Sequence, residues 1–373
     1  MGHGAKHQGD KMIRLATRLP SYMLFRAMGK PKMLPFNLTV SMSYNCNSRC
    51  KTCNIWKKKA DDLSLDEYEK VFKRIGKGIF WVTLSGGEPF LRKDLAGITA
   101  LIYKYCKPKI INIPTNGLLG KVIAEKVTEI ARLCPKSDIV INLSLDGVGA
   151  KHDEIRGIPG NFERAMESYK ALRALDLPNL SIGVHTVISR FNISDIPEIC
   201  DFVIDELKPD SYISEVAEER VELGTINAGV TPKAEDYAKA VDYIQKRTGE
   251  TKTKGISRLT KALRMGYYEH AKKALAARKQ PIPCYAGFAS AQISPEGDVW
   301  GCCVRAEPLG SLRENDYDFR RIWLSDKADK FRQSVKKGEC ACPLANAYYS
   351  SAVCGPLAIA KLALNILPVV KPW

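Results

Sequence analysis

No stretch of this 373-residue sequence reaches the roughly 18–20 consecutive apolar residues that a membrane-spanning helix requires. The first ten residues are polar and contain no apolar core of a secretory signal. The chain shows neither an internal repeat nor a low-complexity tract, and it has only five histidines. These absences exclude a multi-span membrane protein and a fibrous or disordered chain. They make the cytoplasm the expected location.

Cysteine, in contrast, is abundant, with twelve residues. That number is too small for a disulfide scaffold of this length, and cytoplasmic cysteines are more often ligands or catalysts than disulfide partners. Hydrophobic residues make up 45% of the chain and charged residues 26%, as in ordinary globular proteins. The length predicts two domains, or one large domain with an appendage.

The positive charge is concentrated in two stretches. The formal net charge is +16, of which residues 1–36 carry +6 and residues 246–279 carry +9. Such surfaces attract polyanions, namely lipid headgroups, phosphorylated substrates or nucleic acid. The alternative is a solvated face without a partner.

Strand and helix patterns alternate through the middle of the chain. The strands are predicted at 36–42, 79–84, 110–114, 139–145, 180–188 and 211–216, and they look apolar on both faces. The helices between them are predicted at 64–77, 94–106, 119–133, 162–175 and 195–207. This α/β alternation favours a doubly wound sheet or a partial (β/α) barrel, with the functional site at the carboxyl ends of the strands.

Helices are also predicted on both sides of this alternation. Residues 12–28 form one or two short amphipathic helices, and another helix begins at Thr231, where Pro232 occupies its first turn. Ser64 and Glu67 form the capping box that begins the helix at 64–77.

The most specific motif is the loop after the first strand, which contains Cys46, Cys50 and Cys53. Three thiolates within eight residues can bind three irons of a cubane cluster and leave the fourth iron open. A zinc site or three unrelated core cysteines are the alternatives.

This C-x-x-x-C-x-x-C loop resembles the signature of the radical S-adenosylmethionine (SAM) enzymes. The resemblance implies a partial (β/α)6 TIM-like barrel, a 4Fe–4S cluster on Cys46, Cys50 and Cys53, and SAM bound at the open iron. Reductive cleavage of SAM would then give a 5′-deoxyadenosyl radical that abstracts a substrate hydrogen atom. Thr52 departs from the aromatic or aliphatic residue usual in the family, at a position that contacts adenine mainly through its backbone.

Further segments match the family at the ends of later strands. Ser85–Pro89 resembles the segment that binds the SAM amino group, and two glycines there allow close backbone approach. In isolation the same segment is typical of a turn. The resemblance implies SAM contacts at several positions. These are Gly86, Gly87, Glu88, Pro89, Asn116, Ser144, Asp146 and Arg156.

A second cysteine group follows residue 283. Cys284, Gly297 and Cys302 have the spacing of the SPASM/twitch extension of radical SAM enzymes, and residues 293–300 predict a β-hairpin with its turn at 295–298. The resemblance implies one auxiliary 4Fe–4S cluster for electron transfer; three ligands instead of four would leave an iron for substrate, and a four-cysteine zinc site is the alternative. The expected ligands are Cys284, Cys302, Cys340 and Cys342, with Cys303 and Cys354 as spare cysteines.

Other residues have simpler interpretations. Cys106, Cys134 and Cys200 are predicted core residues, and His185 is a predicted core histidine. Glu215 ends the sixth strand and is the candidate substrate contact.

These patterns divide the chain into five segments, the fourth of which combines a β-hairpin and a helix in a small iron–sulfur domain. The segments are a basic amphipathic segment at 1–36, the barrel at 37–225, a basic helical connection at 226–283, the auxiliary-cluster domain at 284–355 and an apolar tail at 356–373.

The resemblance gives the reaction but leaves the substrate open. The basic segment 12–34, the basic stretch 246–279 and the apolar tail favour a lipid or lipid-linked headgroup at an anionic membrane surface, with the protein peripheral to it. The alternative is a peptide maturase. Only about 36 residues precede the first strand, where such enzymes often carry a peptide-recognition domain.

Two other interpretations belong to different classes. A non-catalytic iron–sulfur electron carrier would need neither the Ser85–Pro89 segment nor Arg156. A nucleic-acid partner is not expected, because the sequence contains no recognition motif for one. The enzyme interpretation requires an external electron donor of the flavodoxin or ferredoxin type.

Overall fold

The alternating strands and helices of residues 37–216 form a partial barrel. The computed structural model describes residues 3–249 and 256–355, so the predicted apolar tail at 356–373 lies outside the described residues. The strands are β1 Asn37–Ser41, β2 Trp81–Ser85, β3 Ile110–Thr115, β4 Asp138–Ser144, β5 Leu180–Ile188, β6 Ser211–Val216, β7 Ser290–Ile293, β8 Asp298–Trp300 and β9 Pro308–Ser311.

Helices flank this sheet. A π-helical turn, Phe202–Leu207, follows directly after the helix Ile196–Asp201. The helices are α1 His3–Met28, α2 Leu65–Ile75, α3 Leu95–Cys106, α4 Gly120–Leu133, α5 Ala150–Arg156, α6 Asn161–Arg173, α7 Ile196–Asp201, α8 Ala234–Gly249, α9 Ile256–Ala277, α10 Phe319–Trp323, α11 Asp326–Lys337 and α12 Ala345–Val353.

The nine strands form one sheet in the order β6-β5-β4-β3-β2-β1-β7-β8-β9. Strands β1 to β6 are parallel, as the partial-barrel prediction requires. Strand β7 extends the same sheet, because it pairs in parallel with β1 from Asn37↔Ser290 to Val40↔Ile293. The predicted boundary at residue 283/284 stays a prediction, and this hydrogen-bonded ladder joins the segments on its two sides.

The two faces of the barrel sheet differ in polarity. Alternate residues such as Ile111 and Ile139 are fully buried in the apolar core. The inner face is polar: Asn142 Nδ2 donates to Asn112 Oδ1 at 2.7 Å, and Asn346 Nδ2 donates to Thr39 Oγ1 at 2.9 Å. The prediction of strands that are apolar on both faces is therefore wrong for the inner face, where amides and hydroxyls satisfy one another.

Local signals set the ends of several elements. Ser64 and Glu67 form the predicted capping box, with both reciprocal hydrogen bonds present. Ser294 N donates to Asp298 O at 2.8 Å in the turn between β7 and β8, which confirms the predicted hairpin. The predicted helix start at Thr231 is wrong, because the first helical hydrogen bond runs from Tyr237 N to Lys233 O.

Helix α1 is part of the hydrophobic core. Leu19, Tyr22 and Phe25 are at most 1% exposed, and Phe25 packs edge-on against Phe288 with ring centroids 5.3 Å apart. Tyr22 also donates from its hydroxyl to Leu34 O at 2.5 Å. The helix is continuous through Pro20, so one helix replaces the one or two short helices predicted over 12–28.

Helices α9 and α12 lie against the inner side of the barrel and supply a cluster of tyrosines. Tyr267 packs against Tyr348 and Tyr349, and its hydroxyl accepts a hydrogen bond from Val216 N. Tyr349 stacks on Trp81 of β2 at a centroid distance of 6.3 Å. Among the described residues, no helix combines the length and apolarity needed to cross a bilayer.

The packing of α1 predicts that truncation of two neighbouring residues, Phe25 and Leu24, changes the free energy of unfolding by different amounts. Phe25→Ala should lower the free energy of unfolding by about 3–5 kcal/mol, because it leaves a cavity in the core. Leu24→Ala is the matched control; Leu24 is 45% exposed, so its change should stay within about 0.5 kcal/mol. Urea unfolding measures both, and equal effects would contradict the docking of α1.

Candidate functional site

The cysteine loop leaves the carboxyl end of β1 and is fixed to the end of α5. Arg49 N donates to Arg156 O and Lys51 N donates to Ile155 O, both at 2.9 Å. Within the loop, Cys53 N donates to Cys50 O at 3.1 Å. These backbone hydrogen bonds place the three thiols on one short turn, as the motif predicts.

Each of the three sulfur atoms has an N–H donor. Ser48 N lies 3.4 Å from Cys46 Sγ, and Ile55 N lies 3.5 Å from Cys53 Sγ. The Arg156 guanidinium donates to Cys50 Sγ, also at 3.5 Å. Hydrogen bonds to sulfur favour the thiolate, which is the form that binds iron.

Burial works against the charged form of the same thiols. It raises the pKa of Cys46 and raises the pKa of Cys53 to about 12, despite the N–H donors. Burial therefore disfavours the thiolate form of both cysteines. A bound metal centre would stabilise the thiolates and replace the thiol protons, so the donor set and its burial fit an iron–sulfur cluster.

No group of three or more His, Cys, Asp or Glu side chains in the described part of the chain is arranged to hold one metal ion.

Gly86 and Gly87 lie against the beginning of the cysteine loop. A Cβ atom on Gly86 would be 2.3 Å from Ser43 O, and one on Gly87 would be 2.1 Å from Asn45 O. Both distances are impossible for a side chain. The glycines instead let Gly87 N donate to Ser43 O at 2.7 Å, and Glu88 N donates to Asn45 O at 2.8 Å.

Glu88 joins the ends of β2 and β3. Its carboxylate accepts hydrogen bonds from Asn116 N at 2.7 Å, Thr115 Oγ1 at 2.9 Å and Phe90 N at 3.2 Å. It is 3% exposed, and burial raises its pKa from 4.5 to about 7, although these hydrogen bonds oppose the increase. Pro89 begins the short 3-10 turn that follows.

Asn116 extends this network into the cysteine loop, since its Nδ2 donates to Asn47 Oδ1 at 2.7 Å. The structure thus brings together four of the predicted SAM contacts, namely Gly86, Gly87, Glu88 and Asn116. Their assignment to SAM stays a prediction.

Arg156 and Asp146 form a buried ion pair beside the loop. Arg156 Nε lies 2.9 Å from Asp146 Oδ2, and the two side chains are 11% and 2% exposed. The other Asp146 oxygen accepts from Val187 N at 2.8 Å. The predicted contact of Arg156 with SAM is untested; in the structure this guanidinium joins Asp146 to Cys50.

His185 and Glu215 form a pair that sequence reasoning missed. His185 Nε2 lies 3.7 Å from Glu215 Oε2, with the two side chains 21% and 24% exposed at the barrel end that carries the cysteine loop. His185 is also the β5 partner of Ser144, another predicted SAM contact. It is thus partly accessible rather than a core residue. The sequence could have indicated this, because alternate residues of a strand share a face and His185 falls on the polar face of β5.

The second cysteine group also converges. Cys303 and Cys342 are buried in one small cluster with Leu344 and Ala347, and Cys284 and Cys302 pack against it. Cys340 is partly buried, and burial raises the pKa of its thiol, although the charge of Arg305 and a hydrogen bond with it oppose the increase. Cys303 is buried in this cluster together with the predicted ligand Cys342. The exclusion of Cys303 from the ligand set stays a prediction.

The remaining cysteines lie in the apolar core. Cys106, Cys134, Cys200 and Cys354 are each at most 2% exposed, and burial raises the pKa of each thiol to about 12. This burial agrees with the core assignment of the first three and with the exclusion of Cys354 from the ligand set.

A loop after β6, residues 217–225, touches both cysteine groups. Asn54 N, next to Cys53, donates to Leu223 O at 2.9 Å, and Val221 N donates to Val304 O, next to Cys303, at 3.0 Å. We call residues 217–225 the bridging loop. Its Glu222 accepts from Ser41 Oγ of β1 at 2.7 Å and from Gln292 Nε2 of β7.

Two family profiles match the segments of the chain that contain the two cysteine groups. The radical SAM superfamily profile matches residues 40–203. The profile of SPASM, an iron–sulfur cluster-binding domain, matches residues 284–343. Together the two profiles include all seven predicted cluster ligands.

Individual relatives are remote. The Fe-coproporphyrin III synthase of Methanosarcina barkeri is 27% identical over 65% of this chain, and the match spans 58% of that protein, less than two thirds of its length. The AdoMet-dependent heme synthase of the same organism is 27% identical over 83% of this chain and 87% of its own. The mycofactocin maturase MftC of Mycobacterium tuberculosis is 25% identical over 82% of this chain and 75% of its own.

Solved structures share the fold. Streptococcus suis SuiB bound to S-adenosylmethionine superposes with a TM-score of 0.58 at 18% identity, over 80% of this chain and 68% of that chain. The AdoMet-bound protein anSMEcpe gives 0.58 at 16% identity, over 89% of this chain and 99% of that chain. These likenesses support a partial barrel with a C-terminal extension.

The raised pKa of Glu88 predicts a pH-dependent stability difference. An acid whose pKa is higher in the folded than in the unfolded chain stabilises the fold at low pH, and that contribution is lost as pH rises. Between about pH 4.5 and pH 7, the wild type should lose up to about 3 kcal/mol of unfolding free energy relative to Glu88→Gln. Urea unfolding across this range tests the prediction; parallel pH profiles of the two proteins would contradict it.

The buried ion pair predicts strong coupling between its members. Arg156→Met should lower the free energy of unfolding by about 3–5 kcal/mol, because it leaves the Asp146 carboxylate buried without a counter-charge. The double variant Asp146→Asn/Arg156→Met should recover most of this loss. A double-mutant cycle from urea unfolding measures the coupling, and simply additive losses would exclude it.

Proposed function

The chain belongs to the radical SAM superfamily and carries a C-terminal SPASM domain, and from this we propose that it cleaves SAM reductively and abstracts a hydrogen atom from its substrate. The observation that carries the proposal is the cysteine loop, in which every sulfur has an N–H donor. Gly86 and Gly87 fix one side of this loop and α5 fixes the other.

We assign the SAM-binding 4Fe–4S cluster to Cys46, Cys50 and Cys53. When bound, this cluster supplies the electron that cleaves SAM into methionine and a 5′-deoxyadenosyl radical. The chain holds the loop in place, and the Arg156 guanidinium balances charge at Cys50. We assign SAM binding to Gly86, Gly87, Glu88, Pro89, Asn116, Ser144, Asp146 and Arg156.

The auxiliary cluster is assigned to the second cysteine group, at Cys284, Cys302, Cys340 and Cys342. The bridging loop hydrogen-bonds beside both groups, at Asn54 and Val304. The bridging loop therefore fixes the separation of the two cysteine groups. This matters because the rate of electron transfer depends on the distance between the two centres. An external flavodoxin- or ferredoxin-type donor would deliver the first electron.

The His185–Glu215 pair is the proposed substrate contact. It lies on the polar inner face, at the barrel end that carries the cysteine loop. An imidazole beside a carboxylate can hold a substrate N–H or O–H and accept its proton after hydrogen-atom abstraction.

The charges at this end favour a peptide over an anionic substrate. Glu215, Glu218 and Glu222 occur there; Arg220 lies 3.7 Å from Glu218, and Lys58 Nζ donates to Glu222 O at 2.6 Å. Burial raises the pKa of Glu218 to about 7, although the charge of Arg220 and a hydrogen bond with Cys342 oppose the increase; the charge of Glu215 adds a smaller increase. A region that already disfavours negative charge disfavours phosphate headgroups and carboxylate-rich porphyrins, whereas peptide amides suit its hydroxyl, amide and imidazole groups.

Two of the three grounds for a lipid substrate are weakened by packing. The apolar side of α1 is buried in the core through Leu19, Tyr22 and Phe25. In the second basic stretch, Lys272 pairs with Asp242 and Glu269. The third ground, the apolar tail at 356–373, lies outside the described residues. The lipid prediction and the peripheral membrane location therefore take second place to a peptide-modifying enzyme.

Cluster content provides the first test. The wild type, reconstituted anaerobically, should bind about eight irons and release 5′-deoxyadenosine from SAM in the presence of dithionite. Cys53→Ser should abolish this cleavage, whereas Cys342→Ser should lower the iron content to about four and keep the cleavage. Cys200→Ser is the matched core control. No cleavage by the fully loaded wild type would favour the electron-carrier alternative.

The substrate class is tested separately. The rate of 5′-deoxyadenosine release should rise with a pool of synthetic peptides and not with phosphatidylglycerol vesicles or Fe-coproporphyrin III. Stimulation by vesicles or by the porphyrin alone would overturn the peptide proposal while leaving the reaction class intact.

If the His185–Glu215 pair contacts the substrate, its variants should lower substrate-stimulated turnover and leave substrate-free SAM cleavage unchanged. Glu215→Gln and His185→Gln should each lower substrate-stimulated turnover at least about tenfold, because the substrate loses a polar contact and a proton acceptor. Substrate-free SAM cleavage should be unchanged. Glu198→Gln, an exposed carboxylate on α7, is the control. Equal loss of both activities would assign the pair to SAM binding instead.

A further inference from the structure

A basic pocket lies at the opposite end of the barrel from the cysteine loop. It has a volume of about 280 Å³ and lies under α1, where the chain enters β2 and β3. Its cationic lining residues are Lys11, Arg14, Arg18, Lys77, Lys107 and Lys109. Because the cysteine loop follows the carboxyl end of β1, this pocket is separate from the proposed active site.

The lining is unbalanced in charge. No Asp or Glu occurs among the described residues that line the pocket. Asp138 pairs with Lys109 at 2.6 Å from just outside. A cavity with six cations and one adjacent acid has a strong positive potential.

Two of these cations are held in position by neutral groups. Lys11 Nζ donates to Pro108 O at 3.0 Å, and Arg18 donates to Gly78 O and to the Tyr22 hydroxyl, both at 2.8 Å. Carbonyl and hydroxyl oxygens fix a side chain without neutralising its charge. Burial, and then repulsion from Lys109, lower the pKa of Lys11. The cost of gathering these charges would be relieved by a bound anion.

We propose that this pocket binds a phosphate-bearing anion. Arginine forks and lysine ammonium groups are the side chains that bind phosphate oxygens, and six of them suit a group with several negative charges. The floor is apolar, formed by Leu15, Ile79, Phe80 and Cys106, and accommodates the carbon part of a phosphate ester. SAM, whose sulfonium and amino groups are cationic, does not fit this lining.

The bound anion would join α1 to the loops before β2 and β3, since the lining comes from all three. The site does not rest on the proposed reaction. Its ligand has two sources, a free polyphosphate or phosphate ester and the headgroup of a phospholipid. The concave shape and apolar floor of the pocket set it apart from a flat basic stripe that would follow a nucleic-acid backbone.

The test uses the reconstituted full-length protein with two probes. Calorimetric titration measures tripolyphosphate binding, and co-sedimentation measures binding to phosphatidylglycerol vesicles against phosphatidylcholine vesicles. Arg14→Gln/Lys77→Gln removes two exposed rim cations and should weaken binding of the effective probe at least about tenfold. Lys121→Gln/Lys337→Gln, an equal change of charge at exposed positions elsewhere, should leave binding within about twofold.

The outcomes distinguish the two sources. Variant-sensitive binding of tripolyphosphate without vesicle binding supports a free phosphate ligand, and variant-sensitive binding to phosphatidylglycerol supports a headgroup. Absence of binding to both probes, or equal losses in the pocket and control variants, would overturn the proposal. Substrate-free SAM cleavage by the pocket variant should equal that of the wild type, which confirms an intact fold.

Discussion

The close approach of two backbones, at Gly86–Gly87 and at Ser43–Asn45, is the constraint on which the site depends. It exists only because neither glycine carries a Cβ atom. It fixes how the cysteine loop leaves β1, and Glu88 then connects the same point to the end of β3. From the other side, α5 accepts hydrogen bonds from the loop backbone. The barrel therefore holds the backbone of the cysteine loop on both sides.

The second cysteine group is attached to the first by the sheet and by the bridging loop. Strand β7 continues the barrel through β1, and Glu222 accepts hydrogen bonds from both strands. Two redox centres on one sheet keep a constant separation, whereas two domains on a flexible linker would not. The segment matched by the profile at residues 284–343 is thus joined to the barrel sheet through β7.

Sequence patterns predicted the features with local causes. The strands of the alternation, the capping box at Ser64 and the hairpin after β7 each depend on residues near one another in the chain. The pairing of β7 with β1, the His185–Glu215 contact and the bridging loop depend on residues distant in sequence, so no local pattern indicates them. The polar inner face was not predicted, because the strongly apolar residues of the other face dominate the composition of each strand.

The order of synthesis leaves β1 without one of its two partner strands for most of translation. Strand β1 lies in the middle of the finished sheet, yet its partner on one side, β7, is translated only in the last quarter of the chain. Until then a nascent chain presents an open strand edge beside a row of polar groups on Asn37, Thr39 and Ser41. An unpaired strand edge is a template for pairing with other chains, so the long separation of β1 and β7 in the sequence prolongs the period in which the nascent chain is prone to aggregate.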